Sequence, residues 1–201
     1  MPFDTLAALV LFAAVSSITP GPNNLMLLAS GVNFGFRRTV PHMLGIGVGF
    51  TVMVVIVGLG LAPVFAAAPV LHTVLRLLGV AYMVWLAWHL FQAGPVADGV
   101  PGTGRPMRFL GAAAFQWVNP KAWVMALTAT AAYAGPGGGL WSVLPVALVF
   151  GAVNLPAVSL WAGFGAAMQL LLSDPVRLRR FNVIMALLLV ASLWPVIAEF
   201  R

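Results

Sequence analysis

Thr19-Pro20-Gly21-Pro22-Asn23-Asn24 interrupts one apolar segment of this 201-residue chain, and Val118-Asn119-Pro120-Lys121 interrupts another. Pro20 and Pro120 lie 100 residues apart, about half the chain. In the first patch two prolines remove two backbone donors and Gly21 loosens the chain between them, so a helix cannot continue through it. Proline is, however, comfortable at the first position of a new helix with a capping residue before it. A half-helix starting near Pro20 or Pro22 would point its free N–H groups and positive dipole end back at the break, an arrangement that suits a carboxylate. Asn119-Pro120-Lys121 repeats that grammar with an Asn N-cap, Pro in the first turn and a cation beside it. Paired interruptions of apolar segments point to a transporter binding site at a repeat interface.

Composition sets the solvent. Hydrophobic residues make up 62% of the chain and charged residues 7%, whereas soluble domains carry about a quarter charged residues. Such a chain cannot cover itself in water and reads as an all-α integral membrane protein in contact with the lipid bilayer. At about 20 residues per span, its length allows about six spans in one domain. The net charge of +6 does not indicate nucleic acid, because the basic residues sit between apolar stretches and form no patch with interleaved aromatics. Cysteine is absent, which excludes thiol redox chemistry, disulfides and Cys-ligated metals. No cofactor or metal is expected. The apolar run from Phe3 to Ile18 resembles a signal peptide but lacks a positive n-region and carries Asp4, so it reads as the first span.

Six apolar stretches emerge, at about 4–30, 41–61, 73–92, 108–133, 141–171 and 181–199. The first and fifth would be roughly 40 and 46 Å long if fully helical, against a hydrocarbon core of about 30 Å. The first, fourth and fifth each contain proline, so they are expected to be tilted or broken. Arg37 and Arg38 follow span one, Arg105 and Arg108 follow span three, and Arg177, Arg179 and Arg180 follow span five. Against these seven stand Arg76 and Arg201 on the other side. Alternate loops are therefore cytoplasmic, with both termini outside. Three spans per half invert the second half relative to the first, giving repeats at 1–92 and 108–201 joined by a cytoplasmic loop at 93–107. A chance even division of six unrelated spans is the alternative.

Lys121 is the only lysine and the only full charge well inside a span, which makes it a functional candidate by default. Asn23 and Asn24 add amide groups, and Asn154-Leu155-Pro156 breaks span five in a similar way. These groups belong in the protein interior, away from lipid. The structural alternative is a set of plain proline kinks, with asparagines bonding neighbouring helices. Gly31, Gly35, Gly45, Gly47 and Gly49 have the small-residue spacing of close helix contacts. His42, His72 and His89 lie near span ends and read as interfacial, and Trp85, Trp88, Trp141 and Trp194 as a belt. Tyr82, Trp117 and Trp123 sit where they either line a cavity or pack in the core. No carboxylate lies deep in a span, since Asp4 and Glu199 are at outer ends and Asp98 and Asp174 in loops. No Asp/Glu proton relay is therefore visible, nor any Ser/His or His/Glu constellation for an enzyme.

Taken together, SITPGPNNLMLLASG, the FGFRR loop, LGIGVGF, LGVAYMVWLAW and FQWVNPKAW resemble the lysine exporter family (LysE/RhtB amino-acid exporters) over almost the whole chain. The TPGPNN and GVAYMVWLAW wording is similar to its cysteine/O-acetylserine exporter branch. The chain departs from the family at Phe50 and Thr51, where many members carry an acidic residue. The resemblance implies export of a small amino acid or derivative from the cytoplasm across the bacterial inner membrane. It carries candidate status onto Pro20, Gly21, Pro22, Asn23, Asn119, Pro120 and Lys121. The expected function is a secondary transporter of small neutral amino acids or derivatives (cysteine/O-acetylserine or homoserine/threonine-like), its inverted halves rocking about the broken helices to give alternating access, with a homodimer left open. With Asn24 and Asn154, the seven residues just named are the expected substrate-binding residues. The substrate carboxylate is expected at Lys121 and the Asn119-Pro120 helix start, and the ammonium at Asn23, the carbonyls around Pro20–Pro22 and Asn154. Rival functions are a passive channel for small solutes and a non-transport membrane scaffold.

Overall fold

The computed structural model describes residues 1–61, 69–93, 105–135, 139–194 and 198, and within them the regular elements are all helical. In chain order these are α1 (Phe3–Ile18), α2 (Pro22–Phe34), α3 (Phe36–Ile56) with a π-helical turn at Val57–Leu61, and α4 (Pro69–Gln92). Then follow α5 (Phe109–Phe115) with a 3-10 turn at Gln116–Val118, α6 (Pro120–Tyr133), α7 (Leu140–Met168) and α8 (Pro175–Ala191). Helices satisfy their own backbone hydrogen bonds, as a chain in lipid must. Phe36–Gly60, Thr73–Gln92 and Leu140–Met168 are long and apolar enough to cross a membrane, and α1 with α2 makes a fourth if that bent pair is one span.

The first apolar stretch is two helices meeting at 56°. A residue before proline is pushed out of the helical region. Thr19, before Pro20, has φ −63° and ψ 144°, and Gly21, before Pro22, is fully extended. In the fourth stretch Asn119 takes φ −87° and ψ 109° before Pro120, and α6 starts there. The fifth stretch differs from expectation. It is one 29-residue helix through both Pro145 and Pro156. An isolated proline deletes one backbone bond, and α7 is flanked by α1, α2 and α3, so neighbouring helices hold it continuous.

Two expectations about charged and polar residues also need correction. Arg37 and Arg38 stand in the first turn of α3, and Arg177, Arg179 and Arg180 in the first turns of α8, rather than in loops. Asp174 and Pro175 start α8 early, since Asp174 Oδ1 accepts from the Arg177 N–H at 2.9 Å. His42 is not interfacial but 2% exposed, with neither ring nitrogen hydrogen-bonded among the described residues. It lies one turn before Gly45, on the α3 face that meets α5. His89 is exposed, as are Trp85, Trp88, Trp141 and Trp194. The expectations for Asp98, Glu199, Arg201, most of the 93–107 loop, and the side chains of His72 and Arg76 fall outside the described residues.

Small residues bring the helices together. A Cβ on Gly31 would meet the Ala162 carbonyl oxygen, and one on Gly165 the Leu28 carbonyl oxygen, so α2 and α7 touch backbone to backbone. Gly45 and Gly49 do the same for α3 against Phe109 and Ala113 of α5. Lipid is as apolar as leucine, so this close van der Waals contact replaces the hydrophobic drive of a water-soluble core. At one end of the bundle Asn182 Nδ2 donates to Asn33 Oδ1 (3.1 Å) and to the Ala93 carbonyl (3.1 Å), joining α8 to the ends of α2 and α4. Arg37, Arg38, Arg177, Arg179 and Arg180 are exposed near this end. Elsewhere the Tyr133 hydroxyl donates to the Ala8 carbonyl at 3.5 Å, and Gly58 packs on Val143 and Thr130.

Candidate functional site

The two breaks border one cavity. Its walls are Ser16 and Ser17 of α1, Gly21 of the first break, Asn23 and Asn24 of α2, Phe50 of α3, Asn119, Lys121, Ala122 and Met125 around the start of α6, and Asn154 and Val158 of α7. The free space between them is about 20 Å³, room for about one water molecule. Six of the nine residues expected from sequence line it: Gly21, Asn23, Asn24, Asn119, Lys121 and Asn154. Pro20, Pro22 and Pro120 do not. The latter two occupy the first turns of α2 and α6, while Pro20 lends its carbonyl to Lys121.

A broken helix leaves carbonyls that lipid cannot satisfy, and the end of α1 shows where they go. Thr19 Oγ1 donates to the Ser16 carbonyl at 2.9 Å. Asn24 Nδ2 donates to the Ser17 and Thr19 carbonyls, both at 2.8 Å. Trp161 Nε1 donates to the Ile18 carbonyl at 3.1 Å. Lys121 Nζ donates to the Thr19 carbonyl (2.7 Å), Thr19 Oγ1 (2.9 Å) and the Pro20 carbonyl (3.3 Å). An ammonium has three donors, and here each has an acceptor. The lysine stem crosses the break over Gly21, where a Cβ would lie 2.8 Å from Lys121 Cδ.

The helix starts differ in how they are capped. Asn119 Oδ1 accepts from the Lys121 backbone N–H at 3.2 Å, closing the first turn of α6. Gly21 brings no capping side chain to α2. The breaks are also joined by a reciprocal amide pair: Asn23 Nδ2 donates to Gln116 Oε1 at 2.9 Å, and Gln116 Nε2 to Asn23 Oδ1 at 3.3 Å. Asn154 Nδ2 donates to Ser17 Oγ at 3.0 Å, whereas Asn154 Oδ1 is buried with no partner among the described residues. One acceptor in the wall is therefore open to a donor.

Sequence reasoning missed Ser16, Ser17, Gln116, Met125 and Trp161 as parts of this arrangement. Gln116 carried a legible signal, a carboxamide in an apolar run three residues before Asn119. Met125 and Trp161 carried none, being apolar residues among many. Trp117 and Trp123 pack against each other at 6.0 Å, with Trp123 Nε1 donating to the Trp117 carbonyl, and do not line the cavity.

A family model described as LysE type translocator matches residues 14–192. The chain is 30% identical over 189 residues to the cysteine/O-acetylserine efflux protein of Escherichia coli (strain K12), covering 92% of this chain and 93% of that protein. The same figures hold for the cysteine/O-acetylserine efflux protein of Shigella sonnei (strain Ss046). No solved structure matches.

Proposed function

Since the chain belongs to the LysE type translocator family, we propose that it is a secondary transporter exporting small neutral amino acids or derivatives, of the cysteine and O-acetylserine kind, from the cytoplasm across a bacterial inner membrane. A translocator moves its solute without making or breaking covalent bonds, so the protein is not an enzyme. The observation that carries the reading is the Lys121 ammonium held between the two helix breaks, on the Thr19 and Pro20 carbonyls.

That contact suggests how a zwitterion binds. Lys121 occupies a cation position built from helix-end carbonyls, where the dipole favours positive charge. A substrate ammonium takes over those carbonyls, with Asn23 and the open Asn154 Oδ1 beside them. Lys121 Nζ is then released to pair with the substrate carboxylate, next to the α6 start at Asn119 and Pro120. Among the described residues no acidic side chain lines the cavity, so a substrate with a cationic side chain would lack a partner there.

Asn33, Ala93 and Asn182 tie the ends of α2 and α4 to the start of α8, and in our reading this arginine-flanked end faces the cytoplasm. The α1–α2 pair, α3, α4, the α5–α6 pair, α7 and α8 then make six crossings, as two inverted halves (1–92 and 108–201) with both termini outside. Rocking of the halves about the two breaks gives alternating access. The cavity is far smaller than an amino acid, so binding must widen it.

The test is efflux of labelled L-cysteine from loaded proteoliposomes carrying wild type, Lys121→Ala or Asn23→Ala. Both variants are expected to fold and to slow efflux. Wild-type rates in both would reject the site.

A further inference from the structure

We propose that Phe50, Ala122 and Met125 form the side-chain subsite of this cavity, with Met125 as its adjustable wall. They select amino acids whose side chain is short and uncharged. The inference rests on the export reading above and adds which residues choose among amino acids.

Every α-amino acid presents the same ammonium and carboxylate, so the polar groups that hold them cannot discriminate. Selection falls to whatever surface meets the remaining part of the substrate. The polar lining residues gather at the breaks and at Asn154 with Ser17, whereas Phe50, Ala122 and Met125 pack in one apolar cluster. Met125 stands one turn beyond Lys121 on α6, so a substrate held at Lys121 has its side chain within reach of this cluster.

The three residues differ in stiffness. Phe50 is 2% exposed and its ring meets Phe150 at 5.0 Å and 60°, which pins it. Ala122 has no side-chain torsion to change. Met125 is unbranched, and methionine fills irregular gaps by changing rotamer. With about 20 Å³ free, space for a side chain comes chiefly from Met125 swinging aside. That yields room for a few heavy atoms and no more. A charged side chain would be stripped of water against Phe50 and Met125 with no partner. Lysine, arginine, aspartate and glutamate are excluded by that penalty.

The test is counterflow of labelled L-cysteine in proteoliposomes, with L-leucine and L-lysine as competitors. Met125→Ala should lower the half-inhibitory concentration of leucine about tenfold, the scale of a changed methylene in an apolar pocket, and leave lysine without effect. Phe50→Leu opens the facing wall and should shift leucine in the same direction, so the question is answered even if one variant fails to fold. Wild type that shows no counterflow of any amino acid removes both the export reading and this inference. Wild-type counterflow, with variants that still carry cysteine but keep the wild-type order of competitors, overturns this inference alone.

Discussion

Lys121 places its ammonium 2.7 Å from the Thr19 carbonyl oxygen, joining the start of α6 to the end of α1 across 102 residues of sequence. A hydrogen bond to a charged group contributes about 1.5–3 kcal/mol and a neutral one about 1. Lys121→Ala, which removes all three ammonium bonds, should therefore slow efflux more than Thr19→Val, which removes only the hydroxyl partner of that charge, with each effect at least about tenfold. Initial efflux rates at matched protein density compare the two. Equal effects, or a larger one from Thr19→Val, would contradict the ranking.

Asn23 and Gln116 exchange two amide hydrogen bonds between the breaks. Asn23→Ala leaves the buried Gln116 Oε1 unpaired, although Gln116 Nε2 keeps its bond to the Ala112 carbonyl, and Gln116→Ala strands the half-buried Asn23 amide. Each costs about 1–3 kcal/mol, or several degrees in melting temperature for a chain this size. The double variant should lose less than the sum of the singles, because the second truncation removes the group left stranded by the first. Thermal unfolding in detergent measures all three. Strict additivity would mean the pair is not coupled.

Gly31 of α2 packs on α7, whereas Gly163 of α7 faces Phe36 of α3, and the two differ in crowding. A Cβ at Gly31 would strike the backbone of Ala162 and Ala166, whereas one at Gly163 would sit 3.8 Å from the Phe36 ring in ordinary contact. Gly31→Ala is expected to destabilise by about 1–3 kcal/mol, as overpacking does. Gly163→Ala should be neutral or slightly stabilising, since alanine favours helix by up to about 1 kcal/mol. The same melting assay separates them.

The native chain lacks cysteine, so single cysteines report topology directly. Arg38→Cys and Arg179→Cys should react with a membrane-impermeant maleimide only from the cytoplasmic face. Gly135→Cys, exposed just after α6, should react only from outside. Labelling of intact cells against inverted vesicles decides it, and the opposite pattern would reverse the proposed direction of the termini.

Where the helices start was legible because proline and its neighbours act locally. Pro22 and Pro120 each open a helix, as their fixed φ and missing N–H dictate. The same rule overreached at Pro156, where flanking helices hold α7 straight through. It also could not say that Asn24 would cap the end of α1 rather than point freely at a ligand. His42 shows the limit from the other side, since position near a span end says nothing about burial once α5 covers that face.

By itself the sequence determined the solvent, the helical class and the chain positions of both breaks, because composition, proline geometry and the lone lysine are properties of single residues and near neighbours. Only the tertiary structure decided that the breaks border one cavity, that Lys121 rests on α1 carbonyls, and that Phe50 and Met125 supply its apolar wall. Those facts depend on how α2, α6 and α7 approach one another. In a bilayer that approach is set by close backbone contact at Gly31 and Gly165, and hydrophobic pattern is a poor guide to it because lipid and core are equally apolar.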